Sequence, residues 1–221
     1  MKRIGWAILC LAVWAAAGAI AFASGAVPAL GAEAAQQRLL EGNRRYVEAR
    51  MAHPDQTAGR RAEIAGGQHP FAAIVSCSDS RVPPEVIFDQ GLGNLFVVRL
   101  AGNIVDVAAL GSIEYAVEHL GVRYLMVLGH ERCGAVEATV KGGSAPGQIG
   151  ALLTAIQPAV DEVRNRPGDL LDQAVRANVA RVVERLRTSA PLLNEAVKRG
   201  LVTVKGAYYD LDDGTVSLLP R

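Results

Sequence analysis

Two short stretches hold the residues of this chain best able to do chemistry. Residues 72–81 read A-A-I-V-S-C-S-D-S-R, an apolar run that stops in a cysteine, an aspartate and an arginine, each two residues apart. Residues 129–134 read G-H-E-R-C-G, with His130 and Cys133 three apart. At that spacing, on a turn entering a helix, an imidazole and a thiol can face one point. Thiolate and imidazole are ligands that zinc takes in a tetrahedral set; three protein ligands leave the fourth position to water, the pattern of a catalytic site. Cys77, His130 and Cys133 are therefore candidate metal ligands, and Asp79 and Arg81 a carboxylate–guanidinium pair beside them. The competing reading is a Cys77–Cys133 disulfide with His130 an ordinary loop histidine. His53, His69 and His119 have neither a cysteine nor a strand end beside them and read as ordinary histidines.

For the two stretches to meet, each must end a strand of one sheet. Residues 71–76 and 123–128 are short unbroken apolar runs, read as buried strands, with further strands at 94–100 and 201–206. Helical spacing covers 33–50, weakened by Gly42, and then 108–120 and 134–141. A short helix can start at 85–88, after Pro83 and Pro84. Helical patterns dominate 148–199, with breaks expected near Pro158, Pro167 and Pro191; no function can be read from this segment. Residues 208–219 hold an Asp-Gly turn between two β-prone runs and read as a hairpin. Strands alternating with helices predict an α/β fold: a mainly parallel central β-sheet flanked by helices, with an N-terminal helical arm and a C-terminal β-hairpin. Open sheets of this kind bind ligands at the carboxyl ends of their strands, where both motifs fall.

The remaining features bound the possibilities. With 221 residues, 23 basic and 22 acidic side chains, the chain has room for a sizeable core and no excess charge to draw it to nucleic acid or an anionic surface. No basic stripe interleaved with aromatics is present, so no nucleic-acid partner is expected. The opening M-K-R is followed by an uncharged apolar run from Ile4 to Ala23, with small-residue sites at 21–23 and 29–31. This reads as a secretory signal, or as an uncleaved membrane anchor, over 1–32, with the folded domain at 33–221 in the periplasm or otherwise outside the cytoplasm. Membrane association follows only if the segment stays uncleaved.

Taken together, C-S-D-S-R at 77–81 and G-H-E-R-C-G at 129–134 resemble the β-class carbonic anhydrases, with support from F-V-V-R-L-A-G-N at 96–103 and I-E-Y-A-V at 113–117. The resemblance spans roughly residues 68–140 and, more weakly, the later helices and strands. It implies one zinc per chain on Cys77, His130 and Cys133, an Asp79–Arg81 dyad, and a homodimer, often paired into tetramers, with the cleft near the subunit interface. It also implies a substrate pocket for carbon dioxide or bicarbonate made by Gln68, Phe96 and Tyr115; Gly134 follows Cys133, and its N–H is a candidate for positioning the ligand loop. A closed subtype of the family has a bicarbonate pocket built on a tryptophan, an arginine and a tyrosine. Arg99 and Tyr209 match the last two here, but Ile74 stands at the tryptophan position and cannot donate a hydrogen bond.

The implied reaction is reversible hydration of carbon dioxide to bicarbonate and a proton by zinc-bound hydroxide. Two thiolates cancel the charge of the metal, so its water should be less acidic than at a three-histidine site, where it titrates near pH 7, and activity should climb through the alkaline range. Asp79 would orient the nucleophile and Arg81 would keep Asp79 off the metal. The alternatives are hydrolysis of carbon disulfide or carbonyl sulfide on the same fold, and a non-catalytic zinc or thiol protein of the cell envelope.

Overall fold

The computed structural model describes residues 30–220, so most of the apolar leader read at 1–32 lies outside the described residues. Five strands form one sheet: β1 (Ala72–Ser76), β2 (Leu95–Arg99), β3 (Tyr124–His130), β4 (Thr203–Tyr209) and β5 (Val216–Leu218), in the order β2-β1-β3-β4-β5. The first four are parallel, and β5 runs antiparallel to β4. The expected α/β architecture, its helical arm and its terminal hairpin are all present.

β1 and β3 are buried at every position because helices cover both faces of the sheet, which is why their sequences are unbroken apolar runs. One core layer gathers Ala72, Ile74, Tyr124, Met126 and Leu128. The other gathers Ala73, Val75, Leu125 and Val127 against α4 (Val107–Glu118) and α8 (Leu192–Lys198). The long helices α6 (Ile149–Val163) and α7 (Leu170–Thr188) pack on each other, and α7 packs on β3 and β4. α4 and α7 start at Asp106 and Asp169, whose carboxylates accept from backbone N–H groups of the first turn. The shorter helices are α2 (Ala58–Glu63), α3 (Pro84–Ile87) and α5 (Gly134–Lys141).

The strand order decides where a site can form. From β1 the chain moves outward to β2, and from β3 it moves the other way to β4. The two connections part between the carboxyl ends of β1 and β3, leaving a crevice at that switch point. Cys77 follows the last residue of β1, and His130 is the last residue of β3.

Three expectations need correction. β3 does not stop at Leu128 but continues through Gly129 and His130, which pair with Tyr208 and Tyr209. β4 likewise does not end at Gly206; it reaches Tyr209 and is itself the first arm of the hairpin, pairing Tyr209 with Val216. Pro158 does not break α6: it lies on the exposed face, where the carbonyl it leaves without a donor, at Thr154, can be hydrated. Pro167 and Pro191 do lie between helices, as expected.

α1 (Ala32–Val47) is the arm, and Gly42 is the reason it can dock. A Cβ at this position would fall 1.8 Å from the carbonyl oxygen of Phe88, just beyond α3. The adjacent Asn43 is buried and donates to the carbonyls of Ile87 and Gly214, while its amide oxygen accepts from the N–H of Val216. In an open helix Gly42→Ala would stabilise by about 1 kcal/mol. Here overpacking should outweigh that gain and lower stability by about 1–3 kcal/mol, read from denaturant unfolding.

Candidate metal centre

The switch-point crevice collects the three predicted ligands. Cys77 leaves β1, His130 closes β3 and Cys133 precedes α5, after a turn in which Arg132 takes a left-handed backbone (φ 49°). Their ligating atoms all lie within 4.8 Å of one another, and all three residues are buried. The two sulfurs are 4.0 Å apart. Two sulfurs on tetrahedral zinc, at Zn–S of about 2.3 Å, would be roughly 3.8 Å apart. A disulfide would need about 2.05 Å, and both cysteines are free.

The state of the histidine also suits a metal. His130 Nδ1 lies 2.9 Å from the carbonyl oxygen of Glu131. A carbonyl can only accept, so Nδ1 carries the proton and Nε2 presents its lone pair. That Nε2 is buried and has no hydrogen-bond partner in the protein. An orphaned imidazole nitrogen beside two thiols is costly unless a cation takes it up, so the residues fit a zinc ion.

The Cys77 thiol is drawn down, first by the hydrogen bond from Cys133, with further help from the N–H groups of Asp79 and Gly102, and against the opposing effect of burial. Those N–H groups reach its sulfur at 3.4 and 3.2 Å. The same contact with Cys77, together with burial, pushes the Cys133 thiol up. Without a cation, only one of the pair can be an anion.

Asp79 sits at the rim, with Oδ2 3.9 Å from His130 Nε2. Arg81 grips it bidentately, Nε to Oδ1 at 3.0 Å and Nη2 to Oδ2 at 2.8 Å, and the Arg81 backbone N–H adds a third bond at 2.9 Å. Arg81 is the largest cause holding the carboxyl down at about 2. Arg99 braces the turn from β2, donating to the carbonyls of Cys77 and Asp79 at 3.0 and 2.7 Å. The Tyr209 hydroxyl pairs with that of Tyr46, and Ile74 is wholly buried.

Gln68, Phe96 and Tyr115 lie apart from this cluster within one chain. Gln68 is exposed ahead of β1, and Tyr115 is exposed on α4 with its ring against His119. Phe96 lies opposite Ala73 and packs on the layer facing α4, away from the layer that contains Cys77. Gly134 is exposed next to Cys133, at the first position of α5. Sequence reasoning missed the part played by Gly102, although L-A-G-N was noted, and it missed Asn178, a buried polar residue on α7 that bonds the Gly102 carbonyl. The available signal was an asparagine flanked by apolar residues in a helix.

A family model described as carbonic anhydrase matches residues 72–216. The chain is 42% identical to carbonic anhydrase 2 of Mycobacterium tuberculosis over 84% of its own length and 91% of the relative's. It is 39% identical to the carbonic anhydrase of Mycolicibacterium smegmatis, with 84% and 92% covered. Among solved structures it resembles a tetrameric β-carbonic anhydrase from Sordaria macrospora, with TM-score 0.69, 26% identity, and 84% of this chain and 97% of that one covered.

Asp79 has a sign that can be checked. Its folded value is depressed, so its contribution to stability is present above the unfolded value of about 3.9 and is lost as pH falls toward its folded value near 2. A carboxyl-carbon NMR titration should place its midpoint near 2, and Arg81→Ala should move it upward.

Proposed function

The chain belongs to the β-class carbonic anhydrases, and from that premise we propose that it hydrates carbon dioxide reversibly to bicarbonate and a proton at one zinc ion per chain, held by Cys77, His130 and Cys133. The observation that carries this is the convergence of two buried thiols and an unpartnered imidazole nitrogen beside an arginine-held carboxylate. When bound, the metal would supply a Lewis acid that acidifies a water and so makes it a nucleophile.

The protein's own residues do the rest. Asp79 remains ionised, so it can only accept; it takes a hydrogen bond from the attacking water and turns a lone pair toward the substrate carbon. Arg81 keeps that carboxylate away from the metal, and Arg99 fixes the turn carrying it. Cys77 and Cys133 offset the cation's charge, so turnover should rise through the alkaline range.

For the substrate pocket we assign Gln68 as an amide donor, Phe96 and Tyr115 as an apolar wall for a linear uncharged molecule, and Gly134 as a backbone donor. Gln68, Phe96 and Tyr115 lie away from the metal cluster within one chain, which supports a homodimer or tetramer in which a second copy completes the pocket. The related Sordaria enzymes are described as tetrameric. The basic, apolar opening of the sequence supports export to the periplasm, with membrane attachment if the leader at 1–32 is retained.

Stopped-flow hydration of carbon dioxide from about pH 6.5 to about pH 9, with zinc measured on the same sample, tests the reading. One zinc per chain and turnover rising smoothly with pH is the expected result. Bound zinc without turnover at any pH would favour carbon disulfide or carbonyl sulfide as substrate, or a non-catalytic role. Cys77→Ser should lower zinc content; zinc and activity both surviving would refute the ligand set. Asp79→Asn should keep its zinc and lose roughly 100-fold in turnover.

A further inference from the structure

Asn178 lies on α7, far in sequence from every candidate ligand, and is buried. Its amide nitrogen donates to the carbonyl oxygen of Gly102 at 2.8 Å. Gly102 in turn donates its own N–H to Cys77 Sγ at 3.2 Å. Gly102 takes a left-handed backbone (φ 70°, ψ 25°), and a Cβ there would fall 2.6 Å from Ile156 Cδ1 on α6. The backbone of the 101–103 turn is thus held from two sides, by the Ile156 side chain and by the Asn178 amide. What that hold fixes is the direction of one N–H, aimed at a sulfur.

We propose that Asn178 is a positioning residue for the metal centre: by anchoring the Gly102 carbonyl it directs the Gly102 N–H onto the Cys77 thiolate and so tunes that sulfur as a ligand. A thiolate accepting an N–H bond is a weaker electron donor to its metal, and it is fixed in direction as well as in place. Outer partners that orient ligands commonly change metal affinity by about 10–100-fold when removed. An amide buried at a helix–turn contact has no such consequence if it serves packing alone. The proposal rests on Cys77 being a metal ligand.

The test uses the full chain loaded with cadmium-113. Through-bond coupling from the metal to the Gly102 amide proton is expected in the unaltered protein, and its absence there would overturn the proposal without any variant. Asn178→Leu removes the donor at similar volume, and Asn178→Ser is a second variant should the first fail to fold. In a variant that melts as a folded domain, the coupling should weaken. The thiolate-to-metal charge-transfer band of the cobalt-loaded form should move to lower energy, and zinc should be lost to a competing chelator about tenfold more readily. A folded variant with unchanged coupling, band and chelator competition means Asn178 only fills space. If the unaltered protein takes up neither zinc nor cadmium, the ligand set itself is wrong, which is a separate failure.

Discussion

The parallel pairing of β1 with β3 is the constraint on which the site depends. Ser76 lies opposite Leu128 in the sheet, so Cys77, the residue after β1, emerges beside the Gly129–His130 end of β3. A slip of one residue would turn Met126, Leu128 and His130 toward the other core layer and carry the imidazole away from the thiol. The register is held by burial: Ile74 and Met126 belong to one layer, Val75 and Val127 to the other, and all are almost wholly inaccessible. Hydrophobic packing, with no charge involved, thereby sets the geometry of the Cys77–His130–Cys133 cluster.

Around that cluster the protein supplies donors. The N–H groups of Asp79 and Gly102 reach Cys77, the Glu131 carbonyl fixes the histidine tautomer, and two arginines divide the C-S-D-S-R turn between them. Arg81 takes the Asp79 carboxylate; Arg99 takes the backbone carbonyls. The division matters because a carboxylate near a cation is a potential ligand. With the guanidinium of Arg81 on both oxygens and the turn pinned from β2, the Asp79 carboxylate is held at the rim, 3.9 Å from His130 Nε2.

The candidate ligands were legible because cysteine, histidine and a carboxylate at strand ends leave few alternative chemistries. The strands were legible because doubly buried strands must be apolar throughout. What the residues did not reveal came from tertiary contact. Gly42 looks like a flaw in α1 until Phe88 is set against it. Gly129 and His130 carry no strand signal of their own and are drawn into β3 by pairing with β4. Pro158 looks like a break until its exposure is known. Gln68, Phe96 and Tyr115 came from family resemblance, and nothing local to them points toward a metal centre. Asn178 escaped because one asparagine in a helix gives no hint of the carbonyl it will meet.

The amide of Asn43 joins α1 to the hairpin at residues 214 and 216, across 171 and 173 positions of sequence. These are among the longest-range contacts of the described residues, and they gather two backbone groups of the hairpin on one buried side chain. Contacts of this kind close a loop nearly as long as the domain, so they are slow to form. A ribosome delivers α1 first and β5 last. The first helix must therefore wait for almost the whole chain before its polar residue has partners, and the domain cannot lock shut while it is still being made.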